Sequence, residues 1–255
     1  MVLQVALVTG AARGIGEAIA RRLAKDGYDL AINDLPSQAP GLEKLQEEII
    51  AMGRRSYICI ADVSKENEVK NMIDNTVEAL GGLHVMIANA GIGRISPGPL
   101  GTLESWDLTM ATNARGVFLC YKYAAEVMIK QGQGGRIIGA SSVAGKQSLE
   151  SHTAAYAASK FAIRGLTQAA ARELGKHNIT VNTYAPGPID TPMSKTFGLS
   201  DAEISAVKEK ERKMTVLERI GTVDEVAGVV SFLVSSDASY VTGQTMSVNG
   251  GMLLD

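Results

Sequence analysis

Tyr156 and Lys160 stand four residues apart in Tyr156-Ala157-Ala158-Ser159-Lys160, at the start of a stretch, Ala155 to Gly175, that reads as helix. Positions i and i+4 share one helix face, so a phenol and an ammonium are expected side by side. An exposed tyrosine titrates near pH ~10, and releasing its proton at neutral pH costs roughly 4 kcal/mol. A cation about 4 Å away, at an effective dielectric near ~20, opposes that cost by on the order of 4 kcal/mol. The pair is therefore expected to exchange a proton at working pH, which is the proton half of a carbonyl reduction. The hydride half needs a redox cofactor, and the N-terminal segment carries the pattern of a site for one.

That pattern begins with Thr9-Gly10-Ala11-Ala12-Arg13-Gly14-Ile15-Gly16, between an apolar strand-like run and a helical one. Gly10, Gly14 and Gly16 permit a tight turn in which backbone N–H groups approach a pyrophosphate, and the helix N-terminus that follows favours its negative charge. A glycine loop alone is weak evidence. Its context strengthens it, because Asp34 follows Gly16 by eighteen residues, at the end of the second expected strand. A carboxylate there can accept hydrogen bonds from the ribose hydroxyls of NAD and would repel the 2′-phosphate of NADP. Arg13 pulls the other way, since its guanidinium could pair with that phosphate. NAD is the expected cofactor, with NADP possible.

Positioning these residues requires a particular frame. Short apolar or β-branched runs, Gln4 to Thr9, Asp29 to Asn33, Ser56 to Ile60, His84 to Ala88, Arg136 to Ala140, Thr180 to Tyr184 and Thr245 to Val248, read as strands. Amphipathic stretches between them, Gly14 to Asp26, Gly41 to Met52, Glu66 to Leu80, Leu103 to Lys130, Ala155 to Gly175 and Val223 to Ser235, read as helices. The alternation predicts an α/β fold: one Rossmann-type, doubly wound, parallel seven-stranded sheet with helices on both faces. Right-handed crossovers then bring every strand C-terminus to one edge, where a ligand crevice must lie. Residues 190–218 break the rhythm and are expected to form a substrate lid, with Met193, Phe197 and Met214 available to cover a ligand.

The bulk numbers narrow the function class. With 255 residues, 45% hydrophobic, and no linker or repeat, one domain over 1–255 is expected. A formal charge of -2 with no basic cluster gives no electrostatic case for nucleic acid. The apolar run Val2 to Val8 lacks a basic leader and runs into the glycine loop, so neither a signal peptide nor a membrane span is expected, and a soluble, cytoplasmic protein is. Cys59 and Cys120 fall in apolar segments and read as buried free thiols. His84, His152 and His177 show no ligand spacing, so no metal is expected. His84 and His177 read as residues at strand entrances, and His152 as a possible pocket residue.

Taken together, Thr9 to Gly16, Asn89-Ala90-Gly91, Tyr156 with Lys160, and Pro186-Gly187 resemble the short-chain dehydrogenase/reductase family, in order and across nearly the whole chain. The resemblance implies a nicotinamide cofactor, a small carbonyl or alcohol substrate and a homotetramer. It implies catalytic roles for Asn113, Ser142, Tyr156 and Lys160: Tyr156 as general acid/base, Lys160 lowering its pKa and gripping the nicotinamide ribose, Ser142 polarising the substrate carbonyl and Asn113 holding a relay water. Ser142 and Tyr156 lie one position further apart than is usual in the family, which leaves Ser141 as the alternative hydroxyl. Asp62 and Val63 match an adenine-contacting position, Asn89, Ala90 and Gly91 a ribose-facing one, and Pro186, Gly187, Ile189 and Thr191 the loop that cups the nicotinamide. Phe161 to Leu174 and Thr242 to Met252 look most like diacetyl/acetoin reductases, also called 2,3-butanediol dehydrogenases. Alternatives are a 3-oxoacyl carrier-protein reductase, a sugar-alcohol dehydrogenase, and a nucleotide sensor without catalysis, the last disfavoured by the intact Tyr156/Lys160 pair.

Overall fold

A computed structural model describes residues 4–93, 96, 98–148, 151–191 and 201–254. Seven strands, β1 (Val5–Thr9), β2 (Asp29–Asp34), β3 (Ser56–Ile60), β4 (Val85–Ala88), β5 (Gly135–Ala140), β6 (Ile179–Pro186) and β7 (Thr245–Val248), form one sheet in the order β3-β2-β1-β4-β5-β6-β7. Every pairing is parallel. The direction of winding reverses between β1 and β4, and a crevice opens above such a reversal.

Strand composition follows position. The inner strands β1 and β4 are buried at every residue, which is why Val-Ala-Leu-Val and Val-Met-Ile-Ala run without polar alternation. Edge strand β7 is only half-buried throughout. One apolar layer joins the sheet to α3 (Glu66–Leu80), α5 (Gly116–Gln131) and α6 (Ala154–Leu174) through residues such as Ile73, Met128 and Ile163. The opposite layer, with Ile19, Leu45 and Val230, joins it to α1 (Gly14–Lys25), α2 (Ala39–Ala51) and α8 (Val223–Val234). Gly81 and Gly132, both left-handed, stop α3 and α5, and Thr222 with Glu225 forms a reciprocal cap at the start of α8.

One expected element differs. Leu103 to Lys130 is not a continuous α-helix: α4 (Leu103–Thr109) passes through a π-helical turn at Met110–Arg115 before α5 begins. The wider turn lets Asn113, fully buried, turn its amide toward the loop after β4. Of the expected lid, α7 (Asp201–Met214) is a charged helix, while Met193 and Phe197 lie outside the described residues. Among the described residues no helix is long and apolar enough to cross a membrane.

Close packing beneath the crevice depends on Gly139 of β5. A Cβ built there would lie 2.2 Å from the Tyr121 hydroxyl, which is itself 3.0 Å from Thr167 Oγ1 across α5 and α6. Gly139→Ala should therefore displace Tyr121 and lower Tm by roughly 2–10 °C, with Tyr121→Phe in the same chain restoring part of the loss. Thermal melts of the two variants check this, and an unchanged Tm in the single variant refutes the packing constraint.

Candidate functional site

The crevice is built around the turn after β1. Thr9 Oγ1 accepts from the backbone N–H of Asn89 and of Ala90, each at 3.0 Å, while Asn89 Nδ2 donates to the carbonyls of Thr9 (2.8 Å) and Gly10 (3.1 Å). Gly10 and Gly14 have φ of +64° and +61°, a left-handed conformation that a side chain would strain. A Cβ on Gly16 would stand 2.1 Å from the Gly10 carbonyl oxygen. The loop is thus folded tightly onto the first turn of α1, and this glycine-only cradle at a helix N-terminus fits a pyrophosphate. Ile15 is half-buried and Arg13 exposed beside it.

Asp34 ends β2 at the rim of this cradle. One carboxylate oxygen accepts from the Ala12 N–H at 3.1 Å and the other from the Leu35 N–H at 2.9 Å. The carboxylate is therefore fixed beside the phosphate loop. Asp62 begins the loop after β3 and spends one carboxylate oxygen on the Ser64 N–H and hydroxyl. Val63 is buried against Gly116, where a Cβ would come within 3.0 Å of it.

Further along the edge, Gly91 separates Asn113 from Lys160: a Cβ on it would meet Asn113 Oδ1 at 3.3 Å and Lys160 Nζ at 3.4 Å. Asn113 Oδ1 accepts from Ile92 N–H at 2.8 Å, and its amino group donates to the Ile92 carbonyl (2.9 Å) and Ser159 Oγ (3.2 Å). After β6, Gly187 N–H donates to the Val248 carbonyl, and Ile189 bridges Gly221 through the Asp190 N–H and the Pro188 carbonyl. In a parallel bridge of this kind the N–H and C=O of Ile189 itself face away from Gly221 and are left for another partner. Thr191 closes the described part of that loop.

Ser142 follows β5, and its hydroxyl is hydrogen-bonded with the Tyr156 hydroxyl while also accepting from the Ala144 N–H at 3.1 Å. Ser141 points elsewhere, its hydroxyl donating to the Lys160 carbonyl at 3.1 Å. In the loop before α6, His152 is exposed and takes a φ of 62°.

The expected electrostatics of the pair need correction. Lys160 Nζ lies 5.5 Å from the Tyr156 ring centroid and donates to the Ala140 carbonyl at 2.7 Å. Burial dominates both groups: it pushes the Tyr156 hydroxyl up from its usual range, the Ser142 contact opposing only in part, and it brings Lys160 down to about 8. Burial, and not the ammonium, thus sets the direction of the Tyr156 shift, because desolvation penalises the phenolate.

Two contributors escaped the sequence reading. Ser159 donates to the Tyr156 carbonyl at 2.7 Å and receives the Asn113 amide, and its place inside the Tyr156-to-Lys160 turn was the available signal. Tyr184, fully buried in β6, donates to Asn89 Oδ1 at 2.7 Å; an aromatic in an apolar strand gives no such sign. His84 lies at the far end of the sheet, accepting from the Val5 N–H. Cys59 and Cys120 are buried free thiols that burial pushes up to about 11 and about 12. Among the described residues no cluster of three metal-ligand side chains occurs.

A family model described as enoyl-(acyl carrier protein) reductase matches residues 10–253. A short-chain dehydrogenase/reductase of Armillaria gallica is 51% identical over 99% of this chain and 97% of its own. The 3-oxoacyl-[acyl-carrier-protein] reductase of Staphylococcus aureus is 43% identical over 98% of each chain, and the L-2,3-butanediol dehydrogenase of Corynebacterium glutamicum 39% identical over 98% of each. Among solved structures, a short-chain dehydrogenase from Burkholderia cenocepacia in complex with NADP superposes with a TM-score of 0.89 at 36% identity, covering 98% of this chain and 97% of that one. An acetoin dehydrogenase from Enterobacter cloacae gives 0.86 at 34% identity, covering 98% and 96%. With its glycine cradle, its Ser142–Tyr156 contact and relatives matched from end to end, the chain belongs to the short-chain dehydrogenase/reductase family, oxidoreductases that work with a nicotinamide dinucleotide.

Proposed function

We propose that this protein interconverts a small ketone and its secondary alcohol, with diacetyl, acetoin or 2,3-butanediol as the substrate set. The observation that carries the reading is the hydrogen bond between the hydroxyls of Ser142 and Tyr156, which sets the two groups side by side at the C-terminal edge of the sheet. A bound nicotinamide dinucleotide supplies or accepts the hydride. Tyr156 acts as general acid toward the substrate oxygen, and Ser142 donates to the charge that develops there. Because burial keeps Tyr156 protonated, the resting site is in the proton-donating form, which suits reduction. Lys160 lies close enough to the ring for its positive charge to offset the phenolate formed as the proton leaves. Asn113, held in the π-helical turn, is assigned to the water that replenishes the proton.

The cofactor is NAD on this reading, since the negative charge of the Asp34 carboxylate, held in place by two backbone N–H groups, would repel a 2′-phosphate. Gly10, Gly14, Ile15 and Gly16 would hold the pyrophosphate, Asp62, Val63, Asn89, Ala90 and Gly91 the adenosine side, and Pro186, Gly187, Ile189 and Thr191 the nicotinamide. NADP is the second reading, supported by exposed Arg13 and by the complex in the Burkholderia relative. For substrate, the acetoin and butanediol dehydrogenase relatives favour a four-carbon compound, and the Staphylococcus relative favours a 3-oxoacyl thioester. The single-domain lid at 190–218 finds support in α7, which Lys208 fastens to Asp190 at 2.7 Å and which is followed by a Leu217 N–H bond to the Gly250 carbonyl. Exposed Phe118 on α5 and Phe161 on α6 suit packing against another copy, as in a homotetramer, and the two inert thiols suit a cytoplasmic setting.

Mixing the protein with NADH or NADPH and diacetyl, acetoin, an acetoacetyl thioester or a hexulose should bleach the nicotinamide absorbance with the four-carbon compounds; activity confined to the thioester overturns the substrate choice. Tyr156→Phe should lower kcat by about 10²–10⁴-fold and leave cofactor binding near wild type, and turnover at the wild-type rate rejects the acid role. Asp34→Ala should weaken NAD binding far more than NADP binding, and equal losses refute the ribose assignment. The lowered Lys160 sets a pH dependence of stability. The unfolded chain binds more protons than the folded one between about pH 8 and the ordinary lysine value, so the lysine's burial penalty shrinks as pH rises through that window. The Tm of Lys160→Met relative to wild type should therefore fall from about pH 7 to about pH 10, and a constant difference contradicts a buried, depressed ammonium.

A further inference from the structure

Tyr184 heads the large side chains that the fold buries completely, yet its hydroxyl is placed for a task. It donates to Asn89 Oδ1 at 2.7 Å, and the other end of that carboxamide donates to the carbonyls of Thr9 and Gly10. This arrangement admits one amide orientation. Turned over, the carboxamide would set its oxygen against two carbonyl oxygens. The Gly10 carbonyl gripped by Asn89 is the same group against which the first turn of α1 closes at Gly16. Burial holds the phenol well above its usual titration range, so it remains a donor at working pH. The Tyr184 backbone carbonyl also accepts from the Ser141 N–H at 2.9 Å, and Pro186 and Gly187 follow two and three residues on.

We propose that Tyr184 is a positioning residue for cofactor binding: through the Asn89 carboxamide it fixes the Gly10 carbonyl, and with it the phosphate cradle, from β6, three places along the sheet from β1. The inference rests on the cofactor site assigned under the proposed function. Without the hydroxyl, the half-buried Asn89 loses its donor from β6, the amide is free to rotate, and the Thr9 and Gly10 carbonyls lose their common anchor. The residue touches neither substrate nor hydride path, so its effect should fall on binding of the dinucleotide and not on the chemical step.

Tyr184→Phe keeps the ring and removes only the hydroxyl. Calorimetric titration with NADH and NADPH should show the Kd of the preferred cofactor raised about tenfold, with kcat at saturating cofactor within about twofold of wild type. Amide hydrogen exchange without cofactor should quicken over residues 9–16 and stay unchanged in α8. In an Asn89→Ala background the same substitution should add less than about twofold to Kd, since the relay is already cut. Tyr184→Met, also without a hydroxyl, serves as a second variant and should show the same rise. An unchanged Kd in a folded variant, or an undiminished effect in the Asn89→Ala background, overturns the proposal. A uniform rise in exchange with Kd unaltered would mark the bond as structural only and overturn it too. Failure of the wild-type protein to bind either dinucleotide would instead bring down the site assignment itself.

Discussion

An ammonium kept out of water organises this crevice. Lys160 is 5% exposed and pays for its desolvation only in part, through one bond to the Ala140 carbonyl at the end of β5. Its surroundings follow from that placement. A Cβ on Gly91 would crowd Asn113 Oδ1 and touch Lys160 Nζ, and the Lys160 carbonyl takes the Ser141 hydroxyl while the next residue, Ser142, meets Tyr156. The fold tolerates an expensive buried charge at the point where strand ends, α6 and the loop after β4 converge. A lysine whose proton affinity has dropped toward neutrality is poised to respond to any negative charge that forms beside it.

Much of the frame was legible from the chain. Parallel strands buried on both faces must be continuous apolar runs, so β1 and β4 announced themselves, and Gly10, Gly14 and Gly16 marked a turn that only glycine can make. Tyr156 and Lys160 were visible because helical spacing is regular. What spacing could not convey was the medium around them. The expectation of an acidified phenol assumed a partly wet pair at close range, whereas the closed site makes desolvation the larger effect on both groups. The π-helical turn at Met110–Arg115 was hidden for a related reason: a single extra residue in a helix leaves the hydrophobic pattern nearly intact, and only the demand of Asn113 for the Ile92 backbone reveals it.

Contacts that span the sheet were the least legible. Ser159 sat within a recognised motif and could have been suspected, but Tyr184 meets Asn89 across ninety-five positions of sequence. Such a pairing is created by the strand order, which sets β6 two places from β4, and no local pattern encodes it. The turn after β1 and strand β6 are in this way braced against each other through the Asn89 carboxamide.

The reversal of winding between β1 and β4 also divides labour. Asp34 and Asp62, assigned to the adenosine end, hang from the three strands on one side, whereas Ser142, Tyr156 and Lys160, and with them Asn89 to Gly91 after β4, belong to the other. Asp34, the residue proposed to choose the coenzyme, and the proposed reacting groups therefore lie in separate blocks of sequence. A graft of the β2–β3 region from a relative with the opposite dinucleotide preference could retune the first while the reacting groups keep their geometry, and lineages that share this topology can drift in either block without disturbing the other.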